Sequence, residues 1–272
     1  MVEQRPRFSV VIPAWNEQDY IPECLESIRH QTFKGSVEVI VVDNNSTDDT
    51  SAVAAEHGAK VVFEPAQGVC KARQAGTEVA TGEIVVSTDA DTIFAHDWLE
   101  RIDRYYTERP DIVGTVGGCH FVGAPWWCEP YEKTLFGGVN LYWKRFGRVV
   151  YGSAANLSFK RDVWPGYNTK LTQGGDEFDF IRRLQDIGPM SFTYENPVFT
   201  SSRRLRKGLL YTIFMTVFYH YLFTYWVNRL TGREVLGMSP PFRDPRDVVH
   251  EADAGIEEWS DDAPDERGEA LG

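Results

Sequence analysis

Lysine is scarce in this chain of 272 residues, with eight Lys against twenty Arg and a formal net charge of −12. That balance excludes the basic footprint of a nucleic-acid binder. Nine of the acids fall in residues 251–272 against the single Arg267, so −8 of the −12 belongs to the end of the chain. Such a stretch, rich in Asp, Glu, Gly and Ala, is expected to be a largely disordered tail with no role in chemistry. Cysteine is also sparse. Cys24, Cys70, Cys119 and Cys128 are separated by 46, 49 and 9 positions with no Cys-x-x-Cys pair, which argues for reduced thiols rather than a disulfide framework. The six histidines complete no metal-ligand spacing with them, so a zinc site is not expected. No apolar leader precedes the first strand-like run at 8–12, which predicts a globular part that stays in the cytoplasm.

What is present is an alternation of strand and helix signals. Phe8-Ser9-Val10-Val11-Ile12-Pro13 is an apolar run that ends in Pro13-Ala14-Trp15-Asn16-Glu17, after which Tyr20, Ile21, Cys24, Leu25 and Ile28 recur at helical spacing. Val37-Glu38-Val39-Ile40-Val41-Val42 runs into the acidic, turn-forming Asp43-Asn44-Asn45-Ser46-Thr47-Asp48-Asp49-Thr50, a helix start for the Ala-rich stretch behind it. Val61-Val62-Phe63 predicts a third strand, residues 72–80 a helix, and Glu83-Ile84-Val85-Val86 a buried strand that ends in Ser87-Thr88-Asp89-Ala90-Asp91-Thr92. Strands alternating with helices imply an α/β fold with a mainly parallel central sheet and helices on both faces. Ligands of such sheets sit at the carboxyl ends of the strands, where Pro13 to Glu17, Asp43 and Asp89 to Asp91 converge. Two carboxylates one residue apart at such an end can share a hard divalent cation with a diphosphate.

Taken in order, the segments at 9–17, 42–48, Ala72-Arg73 and Asp89-Ala90-Asp91 resemble the successive motifs of glycosyltransferase family 2, inverting enzymes of the GT-A fold, over residues 7–200. The resemblance implies a nucleotide-sugar donor, UDP- or GDP-linked. Pro13, Ala14, Trp15 and Glu17 match positions that wall and hydrogen-bond the base, and Asp43 matches the acid that contacts uridine. An aromatic face and a carboxylate acceptor suit a planar base with N–H donors. Arg73 matches the arginine of an Ala-Arg-Asn motif, supporting the nucleotide site through a carboxylate such as Asp43 or Asp89, although Gln74 here replaces the Asn. Asp89, with Ala90 beside it, is implied to face the ribose or the metal, and Asp91 to bind Mg²⁺ or Mn²⁺. Gly174-Gly175-Asp176-Glu177-Phe178-Asp179-Phe180 resembles the family's Glu-Asp-x-Asp-Leu segment with the first two acids exchanged, so either Asp176 or Glu177 is the implied general base. Acids in a first helical turn also serve the helix dipole alone. Residues 151–157 resemble the small-residue strand that faces the acceptor. A sugar nucleotidyltransferase would want a Gly-rich loop with a basic residue after the first strand, and Pro13 to Glu17 offers neither. A non-catalytic nucleotide-binding protein is the remaining alternative.

The organisation expected is a GT-A domain over 1–207, an aromatic helix over 208–230 and the acidic tail over 231–272. Residues 208–228 carry no formal charge, and a helix of that length reaches about 30 Å. Thr212, Thr216, His220, Thr224 and Asn228 form a polar stripe among many aromatics, and Arg203-Arg204-Leu205-Arg206-Lys207 leads in. The pattern favours a helix lying at a membrane interface with its basic lead-in on anionic headgroups, while a full span or the seam of a homodimer stays open. Membrane contact at the cytoplasmic face points to a lipid-linked acceptor, either a glycan hydroxyl or, as in a polyprenyl-phosphate sugar synthase, a phosphate that needs no base.

Overall fold

The computed structural model describes residues 5–171, 176–203, 205, 208–211, 214, 219, 223–231 and 248–250. In chain order the first half runs β1 (Phe8–Ala14), α1 (Ile21–Arg29), β2 (Val37–Asp43), α2 (Thr50–Glu56), β3 (Lys60–Phe63), α3 (Val69–Val79), β4 (Ile84–Ser87), β5 (Thr92–Ile93) and α4 (Trp98–Glu108). The second half continues with β6 (Gly114–Val122), α5 (Cys128–Phe146), β7 (Leu157–Lys160), α6 (Asp176–Gln185), β8 (Met190–Ser201), α7 (Leu209–Tyr211) and α8 (Thr224–Thr231). One sheet holds all eight strands in the order β3-β2-β1-β4-β7-β6-β8-β5.

The N-terminal half is the parallel sheet the apolar runs predict. β1 pairs in parallel with both β2 and β4, and its residues 8–12 are wholly buried because helices cover both faces. The register sets Ala14 opposite Asp43, so the two loops that leave these strands start level with each other. Beyond β4 the sheet turns mixed. β7 runs antiparallel to β4 and β6, and β8 lies parallel to β6 and antiparallel to the two-residue β5. That last pairing is what brings the far end of β8 to the Asp-x-Asp loop, where Ser201 N donates to Asp91 O at 3.3 Å. The segment 151–157 differs from the expected small-residue strand: Ala154–Asn156 form a 3₁₀ turn before β7 begins at Leu157. The buried Asn156 explains the turn, since its Nδ2 donates to Gly118 O and Asn196 O at 3.1 and 2.6 Å and its Oδ1 accepts from Trp98 Nε1.

The main core lies between the sheet and α1, α3, α4, α5 and α6, with Trp98 stacked on Phe94 at 4.0 Å. A smaller cluster at the β5 edge contains Ile93, Ala95, Phe199 and Val249. Val249 falls within the stretch expected to be disordered, yet it is 5% exposed, and His250 contacts Glu23 at 2.9 Å. The acidic residues 251–272 lie outside the described residues. Of the polar stripe, 212, 216 and 220 lie outside them too, as do Arg204, Arg206 and Lys207. Among the described residues no helix is long and apolar enough to cross a membrane.

Close packing of α3 on the sheet rests on Gly76, where an added Cβ would drive into Val11 and Val42 side chains. Gly76→Ala should therefore cost about 1–3 kcal/mol. Gly137, in the middle of α5 with open space at its Cβ, gives the opposite sign: Gly137→Ala should gain about 0.5–1 kcal/mol. Urea denaturation of the two variants measures both.

Candidate active site

The loops after β1 and β2 are laced together before any ligand is considered. Asn16 takes a left-handed conformation (φ 54°), which aims its backbone N–H at Ser46 Oγ (3.0 Å) and its Oδ1 at Thr47 N–H (2.7 Å). Glu17 N–H donates to Thr50 Oγ1 at 2.9 Å, and Gln18 exchanges bonds with Asp48 and Asp49. Pro13 and Trp15 remain half-buried at the mouth, while Ala14 is enclosed. Asp43 uses its carboxylate locally, accepting from Ser46 N–H at 2.9 Å and Ser51 hydroxyl at 2.6 Å.

Behind this rim lies a buried ion cluster. Arg73, on α3 and 4% exposed, donates from Nη2 to Asp89 Oδ1 at 2.7 Å and from Nη1 to Asp176 Oδ2 at 2.8 Å. Burial works against its charge, but Asp89 and Asp176 outweigh that and hold its pKa above the usual arginine value. Of the two partners offered by the sequence, Asp89 is the one Arg73 meets, and Asp176 is a second that lies 103 positions away. Asp179 is occupied by Arg183 at 2.8 Å and by Arg182 at 3.6 Å. Glu177 differs from its neighbour. Its Oε2 is buried without a hydrogen-bond partner among the described residues, and burial followed by repulsion from Asp176 holds its pKa well above the usual glutamate value.

A second guanidinium closes the front of the site. Arg203, read from the sequence as part of a solvated basic lead-in, instead turns inward. Its Nη2 meets Asp91 Oδ2 at 2.9 Å, its two Nη atoms reach the Glu17 carboxylate at 3.3 Å each, and its Cζ sits 4.8 Å from the Tyr20 ring centre. Burial opposes its charge, and Asp91 and Glu17 overcome that opposition. No motif spacing singles out Arg203. It arrives here because β8 pairs with β5 next to Asp91. Sequence reasoning also passed over His120 on β6, whose Nδ1 lies 2.7 Å from Oε2 of the buried Glu132 on α5.

The residues fit a divalent cation in part. Asp89 and Asp91 are hard oxygen donors one residue apart, with Asp89 40% exposed toward the mouth, and Arg203 already places a cation between Asp91 and Glu17. Among the described residues no three His, Cys, Asp or Glu side chains form a complete ligand cage, so other oxygens, such as those of a diphosphate, have to complete the shell. All four cysteines, Cys24, Cys70, Cys119 and Cys128, are buried, and burial raises each of them, Cys119 to about 12 and Cys128 to about 11.

The family model described as glycosyl transferase family 2 matches residues 9–162, more than half of the chain. The chain belongs to this family. Glycosyltransferase AglE of Haloferax volcanii is 35% identical over 210 residues, 73% of this chain and 67% of the relative. The glucosyl-dolichyl phosphate glucuronosyltransferase of the same organism is 32% identical over 193 residues, 63% of this chain and 59% of the relative. Against uncharacterised mycobacterial glycosyltransferases, 47% identical, the chain spans about half of the relatives' length (52%). The crystal structure of mannosyltransferase PcManGT from Pyrobaculum calidifontis, in complex with GDP-Man and Mn²⁺, superposes with a TM-score of 0.66 at 22% identity, covering 93% of this chain and 70% of that one. The sheet with helices on both sides is thus the GT-A fold of a family 2 glycosyltransferase.

The raised pKa of the buried Glu177 gives a pH test. An acid whose folded pKa is raised binds more protons folded than unfolded, so its burial penalty is absent below about pH 4.5 and grows as pH rises toward the folded value. Glu177→Gln should raise Tm by roughly 3 °C or more at pH 8 and by nothing near pH 4.5, as read by thermal melts across that range.

Proposed function

We propose that this family 2 glycosyltransferase moves a sugar from a UDP- or GDP-linked donor, with inversion, to a lipid-linked acceptor. The carrying observation is the buried Arg73, which joins Asp89 on the donor side to Asp176 on the acceptor side through 2.7 and 2.8 Å contacts. In this reading Pro13, Ala14 and Trp15 border the base, Asp43 and the loop it orders receive the nucleoside, and Ala90 keeps Asp89 and Asp91 on one turn. Asp89 and Asp91 would hold Mg²⁺ or Mn²⁺, which when bound offsets the charge that builds on the departing nucleoside diphosphate. The GDP-Man and Mn²⁺ bound to PcManGT support both the donor class and the metal.

Asp176 is the better base of the two acids. Asp176 stands at the start of α6 and is joined through Arg73 to Asp89, whereas Glu177 Oε2 is enclosed with no hydrogen-bond partner among the described residues. The acceptor oxygen attacks the anomeric carbon, the bond from that carbon to the diphosphate oxygen breaks, and the acceptor's proton passes to Asp176. A hydroxyl acceptor requires that transfer and a phosphate acceptor does not. The relative named for glucosyl-dolichyl phosphate, a lipid-linked sugar, favours the hydroxyl. Arg203 neutralises Glu17 and Asp91 until donor and metal arrive. Membrane association at the cytoplasmic face, with the exposed Phe214, Phe223, Trp226 and Leu230 as one contact, fits the same acceptor.

Release of nucleoside diphosphate from a panel of UDP- and GDP-sugars, with Mn²⁺ and a membrane lipid extract as acceptor, tests this reading. One donor should turn over, Asp91→Ala should lose at least about a hundredfold, and Asp176→Asn should lose about 10²–10⁴ in kcat with donor binding kept. An Asp176→Asn enzyme at full rate would assign a phosphate acceptor or another base, and absence of nucleotide-sugar binding would end the proposal. The metal site has its own readout. In metal-free protein Arg203→Gln removes the cation held between Glu17 and Asp91 and should cost about 3–5 kcal/mol, and added Mn²⁺ should raise its Tm more than that of the wild type. Equal Mn²⁺ shifts in the two proteins would place the ion elsewhere.

A further inference from the structure

Helix α5 carries two unlike faces. Its inner side packs Phe136 and Val139 into the core, and Trp143 Nε1 donates to Met190 O at 3.1 Å. Among the described residues its outer side in the second half is uncovered: Gly137 and Gly138 face open space, Leu141 is 71% exposed and Phe146 57%. The exposed Tyr142 ring tilts against Phe146 at 4.6 Å, and the Arg145 guanidinium lies 5.1 Å over the Phe146 ring. Large apolar side chains clustered in water on an isolated helix face mark an interaction surface.

The charge pattern says which partner. From Lys133 to Arg161 the chain has six Lys and Arg and no Asp or Glu, although the whole protein is at −12. Three of these cations, Lys144, Arg145 and Arg148, are exposed and interspersed with the exposed apolar residues. A second copy meeting this face about a twofold axis would bring this patch of three cations against an identical cationic patch. A surface of anionic headgroups over an apolar interior complements both components at once.

We propose that the outer face of α5 seats the protein on an anionic lipid bilayer, with Leu141, Tyr142 and Phe146 entering the headgroup boundary and Lys144, Arg145 and Arg148 on the headgroups. This contact is separate from the aromatic segment at 208–231. The inner side of the same helix leads to the candidate base: Phe136 stacks on Tyr151 at 6.2 Å, and Tyr151 lies 5.3 Å from Phe178, two positions from Asp176. Its use for presenting a lipid-borne acceptor rests on the function proposed above, whereas the bilayer contact itself does not.

Flotation of the full chain with vesicles of phosphatidylcholine, alone or mixed with phosphatidylserine, and with no nucleotide present, reads the contact independently of turnover. The wild type should bind the mixed vesicles, more weakly as salt rises, and bind the neutral ones poorly. Each basic residue near an anionic surface is worth about a fivefold factor in partition, so Lys144→Glu with Arg145→Glu should reduce binding by at least about tenfold. Leu141→Asp with Phe146→Asp should reduce it similarly, and because all four side chains are exposed, Tm should stay at the wild-type value in both double variants. Unchanged flotation of both, or no binding by the wild type, would overturn the proposal. So would sedimentation showing a dimer that the same variants dissociate while vesicle binding persists, since the face would then belong to a second copy.

Discussion

A single guanidinium, that of Arg73, sits where three parts of the chain meet, and the remainder of the site is arranged around its charge. Removing an ion from water costs several kcal/mol even after relaxation, so a buried arginine persists only where its partners are equally fixed. Asp89 leaves the end of β4 and Asp176 opens α6, and each is held within 2.8 Å of the same cation. The consequence is geometric. The loop after β4 and the start of α6 cannot drift relative to each other without exposing a naked charge, which is the rigidity that positioning catalysis needs. It is also electrostatic, because a proton gained by Asp176 would be felt at Asp89 through the shared arginine.

Arg203 repeats the arrangement at the mouth with looser terms. Arg73 is rooted in the middle of a helix packed on the sheet, whereas Arg203 stands in a turn beyond β8 and meets Glu17 only at 3.3 Å. Both neutralise acids that the fold forces together. The tighter contact is the one that frames the site, and the looser one lies where a donor and its metal would enter. Carboxylates gathered at strand ends repel one another, so a family 2 fold with Glu17, Asp89, Asp91 and Asp176 in one cleft requires internal cations whenever no ligand supplies them.

How much of this could be read from the chain divides at residue 91. Before it, strands buried on both faces appear as unbroken Val and Ile runs, and each candidate site residue except Arg73, which lies on α3, stands at the end of such a run, so fold and rim were legible together. After it the strands are mixed in direction and their interior is partly polar. Tyr106, Thr115 and Ser158 are buried and satisfied by one another at 2.7–2.9 Å, a pattern that carries no hydrophobic period. Gly114 and Gly117 on β6 sit against backbone and side chains with no room for a Cβ, and glycines inside a strand weaken its signal. Arg203 was hidden in a basic run whose average property, attraction to headgroups, masked the one member that turns inward. Helix α5 carries Gly137-Gly138 in its middle, a pair that interrupts the helical signal.

The exchanged order of Asp176 and Glu177 shows why a motif match stops short of a mechanism. Both residues stand in the first turn of α6, where the helix dipole favours negative charge, and their neighbours separate them. One faces Arg73 and is drawn into an ion pair. The other is one position later, rotated about 100° around the helix, and its Oε2 is buried with no hydrogen-bond partner among the described residues, so burial raises its pKa. Two acids that alignment treats as interchangeable are thereby set in unlike surroundings. That difference depends on where Arg73 points, so the acid that shares the central ion pair is set by an arginine 103 positions away rather than by the letters of the acidic motif.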